Sequence, residues 1–204
     1  MVQNNRWGST TATQCINVTN TGFAITKLVG GNPTNARPVG YPSVYLGCHF
    51  GNCSQGSSLP MQVSHISSAT SSINFSYVDG GSWDAAYDIF LDPTPKSTGE
   101  QQMEIMIDLK GVPNTSLGEA TIGGRSWEVW QNHPTWRPGA PNEIVYSAPS
   151  PINAWDFSVL DFINDVRSRG GITDAWYLNS IQAGFECWSG CVGLAVNSFS
   201  AKVT

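Results

Sequence analysis

Residues 101–110 read "QQMEIMIDLK". Alternation sends Glu104, Met106 and Asp108 to one side of a strand and Ile105, Ile107 and Leu109 to the other. The aliphatic side is a face that buries itself. The opposite side sets two carboxyl groups around a thioether, so it is either wet surface or a working site. Strand-like stretches recur along the chain: "GFAITKLVG", "SINFSYV", "AAYDIFLD", "ATIGGRSWEVWQN", "NEIVYSAP", "WYLNSIQAGFECW" and "GLAVNSFSAKV". Turn clusters rich in Pro, Gly and Asn separate them, such as "GGNPTNARPVGYP", "DPTPKSTGE" and "HPTWRPGAPN". Many short strands joined this way predict an all-β jelly-roll sandwich of two packed antiparallel sheets.

One segment departs from the strand pattern. In "DFSVLDFINDVRSRGG", Val159, Phe162, Ile163 and Val166 follow the i, i+3, i+4, i+7 spacing of an amphipathic helix. Ser158 and Asp161 resemble a capping arrangement, Arg167 and Arg169 suit the negative end, and Gly170 can stop the helix. The expectation is one α-helix packed against a large sheet pair. At 204 residues, with no repeat or linker, residues 1–204 are expected to form a single domain.

Composition narrows the function. The net charge is -5, with no basic excess to displace counterions from phosphates, which argues against nucleic acid. No apolar run approaches a membrane span, and no signal peptide is visible in the given chain. Only 12% of residues are charged, where about 25% is usual, so the polar surface must come from Ser, Thr, Asn, Gln and Gly. Eight Trp, six Tyr and eight Phe are many for so uncharged a chain. Most belong in the core, and a few are available to line a groove that stacks on sugar faces.

The five cysteines are at 15, 48, 53, 187 and 191, so at least one thiol is unpaired within the chain. Cys48 and Cys53 are spaced for a loop-closing disulfide, which suggests an oxidising compartment. Cys187 and Cys191 could form another. The rival, a metal held by these thiols with His49 or His65, does not match the usual zinc-ligand spacings. His65 and His133 have no motif around them and read as surface or loop residues.

Three strand acids stand beside aromatic or sulfur side chains. Glu104 shares its side with Met106. Asp88 shares one with Phe90, opposite Tyr87, Ile89 and Leu91. Gln182, Gly184, Glu186 and Trp188 share a third. Two carboxyl groups are the minimum equipment for cutting a glycosidic bond, one ionised and one protonated, and like-charge proximity with burial separates their pKa values. Solvated strand acids are the alternative, and periodicity alone does not bring Glu104 and Glu186 together.

The motifs "NNRWG", "YPSVYLGCHFGNC", "AAYDIFLDPTP", "EIMI", "GGRSWEVW" and "SIQAGFE-x-WSG-x-x-GLAVNSFS" run in order over nearly the whole chain. As a set they resemble glycoside hydrolase family 12, the β-jelly-roll endoglucanases and xyloglucanases. The resemblance implies Glu104 as nucleophile, Glu186 as acid/base, and Asp88 as a hydrogen-bonding neighbour of the nucleophile. It implies Trp7 and Asn5 as sugar contacts on the non-reducing side, His49 as a further cleft contact, and Met106 beneath the sugar being cut. Plain packing is the alternative for Trp7 and Met106, and a structural place in its loop is the alternative for His49. Trp127 and Trp130 point to opposite sides of their strand and are not assigned.

Three departures from the family pattern stand out. Asp108 occupies the position where the motif usually continues "EIMIW", which implies a weaker sugar contact and a nucleophile pKa raised by like charge. Family members usually start with a further strand whose cysteine bridges to the one in "ATQC". That strand is missing from the given chain, so Cys15 is expected to be unpaired and the edge open. Cys187 and Cys191 stand where other residues are usual, and a bridge between them would stiffen the loop after Glu186.

The resulting expectation is an open cleft on the concave sheet of a secreted, extracellular, monomeric endo-β-1,4-glucanase that retains configuration. Its partner is a β-glucan polysaccharide, and it uses no cofactor and no metal. Retention implies carboxyl groups roughly 5–5.5 Å apart. A preference for xyloglucan or mixed-linkage glucan stays open, as does a non-catalytic glucan-binding module. A family 11 xylanase shares the general fold but fits "EIMI" and "GFECWSG" less well.

Overall fold

The computed structural model describes residues 1–111, 118–132 and 141–204. His133 and most of the turn cluster at 133–142 lie outside the described residues. In chain order the first strands are β1 (Val2–Gln3), β2 (Thr13–Val18), β3 (Phe23–Val29), β4 (Ser43–His49), β5 (Asn52–Cys53) and β6 (Met61–Gln62). Next come β7 (Ala69–Ser76), β8 (Ser82–Trp83), β9 (Ala85–Asp92), β10 (Met103–Lys110), β11 (Gly118–Ile122) and β12 (Arg125–Asn132). The last are β13 (Asn142–Ser147), β14 (Ala154–Ser158), β15 (Tyr177–Gly184), β16 (Cys187–Ser189) and β17 (Ala195–Val203).

These strands form the packed sheets of a jelly-roll sandwich. The larger sheet runs β1-β4-β15-β9-β10-β13-β12-β11, with β5 and β6 at its flank, and the smaller runs β14-β7-β17-β3-β2. Strands β8 and β16 pair separately. The stretch at 120–132, which read as one strand, is a hairpin. Gly123 and Gly124 both take positive φ, 59° and 73°, the geometry of a tight two-residue turn. One pair departs from the antiparallel expectation: β10 and β13 are parallel, register Glu104↔Glu143 and Asp108↔Ser147. The order β10-β13-β12-β11 explains it. After β10 the chain reaches the sheet edge and returns through two antiparallel pairings, so β13 arrives in the direction of β10.

Alternation sets the layers. Tyr87, Ile89 and Leu91 from β9 and Ile105, Ile107 and Leu109 from β10 are fully buried between the sheets. Between the sheets Trp127, Tyr146 and Phe157 pack edge-on against Phe162 of helix α1 (Val159–Ser168). The helix forms as its spacing predicts. Ser158 caps it by accepting the Asp161 amide, and Val159, Phe162, Ile163 and Val166 are buried. Burial of each such side chain contributes about 1.5–3 kcal/mol, enough to hold a ten-residue helix that is marginal alone.

The strand leading to Glu186 is held at very close range. A Cβ at Gly47, where φ is 105°, would lie 2.2 Å from the Asn179 carbonyl, and one at Gly184 would lie 2.1 Å from the Pro42 carbonyl. Strands β4 and β15 therefore approach without side chains between them at these two points. Disulfides join Cys48 to Cys53 and Cys187 to Cys191, which takes all four thiols out of contention as metal ligands, and Cys15 is free and exposed on the edge strand β2.

Candidate active site

The outer face of the large sheet reads in rows. Glu104 lies across from Phe90 on β9 and Glu143 on β13; Met106 lies across from Asp88 and Val145; Asp108 lies across from Ala86 and Ser147. Gln182 on β15 continues the Asp88 row. Glu104 and Asp88 are thus diagonal neighbours, within reach of each other on one face. Glu186 follows the end of β15, and β9 lies between its strand and β10.

A cavity of about 1150 Å³ opens over these rows. Asn5, Trp7, His49, Asp88, Glu104, Met106 and Glu186 all line it, so the seven residues to which the resemblance gave roles reach one space. Tyr41, Phe90, Glu143, Gln182 and Trp188 also line it. Half-buried Trp130 turns to this face as well. It packs against Met106 and Val145, while Trp127 is in the core. Asn5 takes a positive φ of 30°, which its short polar side chain tolerates better than a branched one.

The wall near Trp7 is organised by amides. Gln3 donates to Ser43 Oγ at 2.8 Å and to Gln182 Oε1 at 2.9 Å, while its own Oε1 stands 3.0 Å from His49 Nδ1. An amide oxygen only accepts, so His49 donates from Nδ1 and keeps Nε2 as an acceptor. Burial lowers the His49 pKa to about 4, so the ring is neutral at ordinary pH. Its face lies stacked over Phe90, with ring centroids 6.0 Å apart. His49 is therefore both a structural member of its wall and a cavity-lining group.

Carboxyl groups dominate the electrostatics. The Tyr41 phenol donates to the Ala86 carbonyl at 3.0 Å. Its pKa is pushed well up by burial, then by Asp88, Asp84, Glu104 and Glu186, so four acids act on one hydroxyl. Asp88 is raised well above the carboxylate range by burial and then by Glu186, Glu143 and Asp108. Its Oδ1 is buried without a hydrogen-bond partner among the described residues. Glu186 is raised to about 8, chiefly by burial, then by the Glu143 charge, while a hydrogen bond with Asp84 opposes the rise. A carboxyl that keeps its proton past neutrality is equipped to be an acid.

Two acids sit just beneath this cavity. Asp84 is 8% exposed and Asp108 4%, and neither lines the open space. Asp108 does share the Glu104 side of β10, but Ser147 donates to it at 3.3 Å, and a Cβ at Gly111 would lie 2.1 Å from its Oδ2. The expected loss of a sugar contact at this position is thus a buried carboxyl, not an open gap. Its charge bears on Asp84, Asp88 and Glu186. Sequence reading missed Asp84 and Glu143. Carrying alternation one step back from Asp88 through Ala86 gives Asp84, and "NEIVYSAP" puts Glu143, Val145 and Ser147 on one side, so the signal was present for both.

A jelly roll whose open face gathers carboxyls and rings over one cavity is the architecture of a glycan-cutting hydrolase. The comparison with known proteins makes this specific. The model of glycosyl hydrolase family 12 matches residues 1–204, and the chain belongs to that family. It is 45% identical to a probable cellulase Cel12b of Mycobacterium tuberculosis over 154 residues, 72% of this chain and 99% of the relative. Among solved structures, the endo-1,4-β-glucanase CelB2 is 47% identical with a TM-score of 0.93, covering 100% of this chain and 91% of that one. The endoglucanase Cel12A from Rhodothermus marinus is 34% identical with a TM-score of 0.90, again covering 100% and 91%.

Proposed function

We propose that the chain is an endo-acting β-1,4-glucan hydrolase that retains configuration, with Glu104 as nucleophile and Glu186 as acid/base. One observation carries this reading: both carboxyls line the same cavity and both act on the Tyr41 hydroxyl within it. In the first step a Glu104 oxygen bonds to the anomeric carbon as the bond to the leaving oxygen breaks, and the Glu186 proton moves to that oxygen. In the second step Glu186, now a carboxylate, takes a proton from water. The water oxygen bonds to the anomeric carbon and the bond to Glu104 breaks, which restores both groups. Asp88, diagonal to Glu104, is the neighbour that tunes the nucleophile.

Trp7 and Trp188 offer flat faces to sugar rings, Asn5, His49 and Gln182 offer polar contacts, and Met106 lies on the floor beside Glu104. The names of the cellulase and endoglucanase relatives support an unbranched β-1,4-glucan as substrate. The same reading takes residues 1–204 as one catalytic domain acting as a monomer outside the cell. The two disulfides support an oxidising compartment.

Release of reducing ends from β-1,4-glucan, xyloglucan and mixed-linkage glucan tests it. Glu104→Gln is expected to lose at least about 10³-fold in kcat. The first product anomer, followed by NMR, should match the configuration of the substrate. Binding without release, the same in parent and Glu104→Gln, would make the chain a glucan-binding module instead.

A further inference from the structure

Glu186 stands beyond β15, where the ladder to β9 has already stopped at Gly184. Something other than the main sheet has to fix an acid that must meet a leaving oxygen within tenths of an ångström. Asp84 does this from both directions. Its amide donates to the Glu186 carbonyl at 3.0 Å, and its Oδ1 accepts the Glu186 amide at 3.1 Å. Its side chain also hydrogen-bonds the Glu186 carboxyl. We propose that Asp84 is the positioning residue of the acid/base, holding the Glu186 backbone and carboxyl together and stabilising that carboxyl in each protonation state. The proposal rests on the acid/base role given to Glu186 above.

The surroundings form a clasp. Trp83, next to Asp84, pairs with Cys187, next to Glu186, so β8 and β16 lie side by side with the two acids at their exit. Trp83 Nε1 donates to the Gly80 carbonyl at 2.9 Å, and Lys110 Nζ sits 3.5 Å from the centroid of the Trp83 ring. The Cys187–Cys191 bridge closes the far side. A backbone amide could be capped by an asparagine without repulsion from Glu186. A protonated carboxyl also supplies an O–H that can donate to Glu186 once it has lost its own proton, a part that an asparagine N–H could take over. When Glu186 protonates the leaving oxygen it becomes an anion beside Asp84, and the Asp84 proton then bridges the two. When Glu186 takes a proton from water, the pair returns to its starting count. No proton leaves Asp84 in either step.

Other groups face this pair. Glu143 on β13 bears on Glu186, Asp108 on β10 bears on both acids and Asp88 on β9 bears on Asp84; Tyr41, from the segment before β4, feels both acids together with Glu104 of β10, and Lys110 of β10 acts on Asp108. The acids raise Glu186 with Asp84, and Lys110 opposes them through Asp108. An effect specific to Asp84 therefore needs a readout that the general charge of the pocket does not mimic, and leaving-group dependence provides one.

The test compares Asp84→Asn, Asp84→Ala and Glu186→Gln with the parent on two substrates. One is β-1,4-glucan, whose leaving oxygen needs a proton. The other is an aryl β-cellobioside with a nitrophenolate leaving group, which does not. Asp84→Ala is expected to lose about 10–100-fold in kcat on the glucan and less than about threefold on the aryl glycoside in glycosylation. Asp84→Asn keeps an acceptor for the Glu186 amide and an N–H donor for its carboxylate, so it should fold, keep most activity and leave the basic limb of kcat/KM near the parent's, whereas Asp84→Ala loses the hydrogen bond that holds the Glu186 pKa down and should move that limb up. Equal losses on both substrates, or a basic limb that Asp84→Ala leaves in place, would overturn the proposal. If Glu186→Gln shows no dependence on leaving group, the acid/base assignment itself fails. If Glu186→Gln shows it and the Asp84 variants do not, only the Asp84 proposal fails.

Discussion

Asp108 and Ser147 face each other across the parallel pairing of β10 and β13, and the Ser147 hydroxyl donates to Asp108 Oδ2 at 3.3 Å. Ser147 in turn accepts the Trp130 indole N–H at 3.1 Å, which ties a buried acid to the cleft floor. Asp108 Oδ1 has no hydrogen-bond partner among the described residues. Burial raises its pKa from 3.8 to about 7, with Ser147 and Lys110 opposing the rise. The sign follows from proton binding. Between about pH 4 and 7 the folded chain keeps a proton that the unfolded chain releases, so stability falls as pH rises through that window. Asp108→Asn keeps the acceptor for Ser147 and removes the titration. Its stability should gain on the parent progressively from pH 4 to 7, by on the order of 2–4 kcal/mol, and run parallel above, which the melting temperature follows. Equal melting-temperature differences at pH 4 and pH 8 would contradict this.

Glu186 and Glu143 are linked through charge. With the acid/base at about 8, the basic limb of kcat/KM is expected near that pH. Glu143 supplies the largest charge contribution to that rise after burial, so Glu143→Gln should move the limb down by about half to one pH unit, while Glu143→Asp should largely keep it. Titration of the parent and both variants on one soluble glucan measures this. A limb that stays in place in Glu143→Gln would remove Glu143 from the acid's environment.

Thiol chemistry gives a third check. Of five cysteines, Cys15 alone is free. Denatured protein without reductant should titrate one thiol, and native protein the same one, since Cys15 is exposed on β2. Reduction should raise the count to five. It should also lower the melting temperature, because each short loop then gains freedom in the unfolded chain. Three or more thiols before reduction would rule out at least one of the two bridges.

Much of the arrangement was readable because one side of each central strand is continuous aliphatic core. Ile105, Ile107 and Leu109 fix which way Glu104 points, and Tyr87, Ile89 and Leu91 do the same for Asp88. The helix was readable to its capping serine. Strands β2, β4 and β14 were not, nor were the two-residue strands β1, β5, β6 and β8. "SVYLGCH" is buried on both faces for most of its length, so it lacks alternation, and "AWDFS" is too short for a pattern. The parallel direction of β13 depends on the order of strands at the sheet edge, which no local pattern encodes. Family resemblance brought Glu104 and Glu186 together, and the fold adds Asp84 and Glu143, whose importance comes from neighbours distant in the chain. Asp84 shows the limit most clearly. Its partner Glu186 lies 102 residues away.

The bare contacts at Gly47 and Gly184 have a practical outcome for anyone who would reshape this molecule. Any larger residue there would drive a carbon into a neighbouring carbonyl oxygen at 2.2 or 2.1 Å, so the seam between these strands admits no variation and no sliding. Randomised libraries should leave both codons untouched, because they set the rail on which Glu186 is carried.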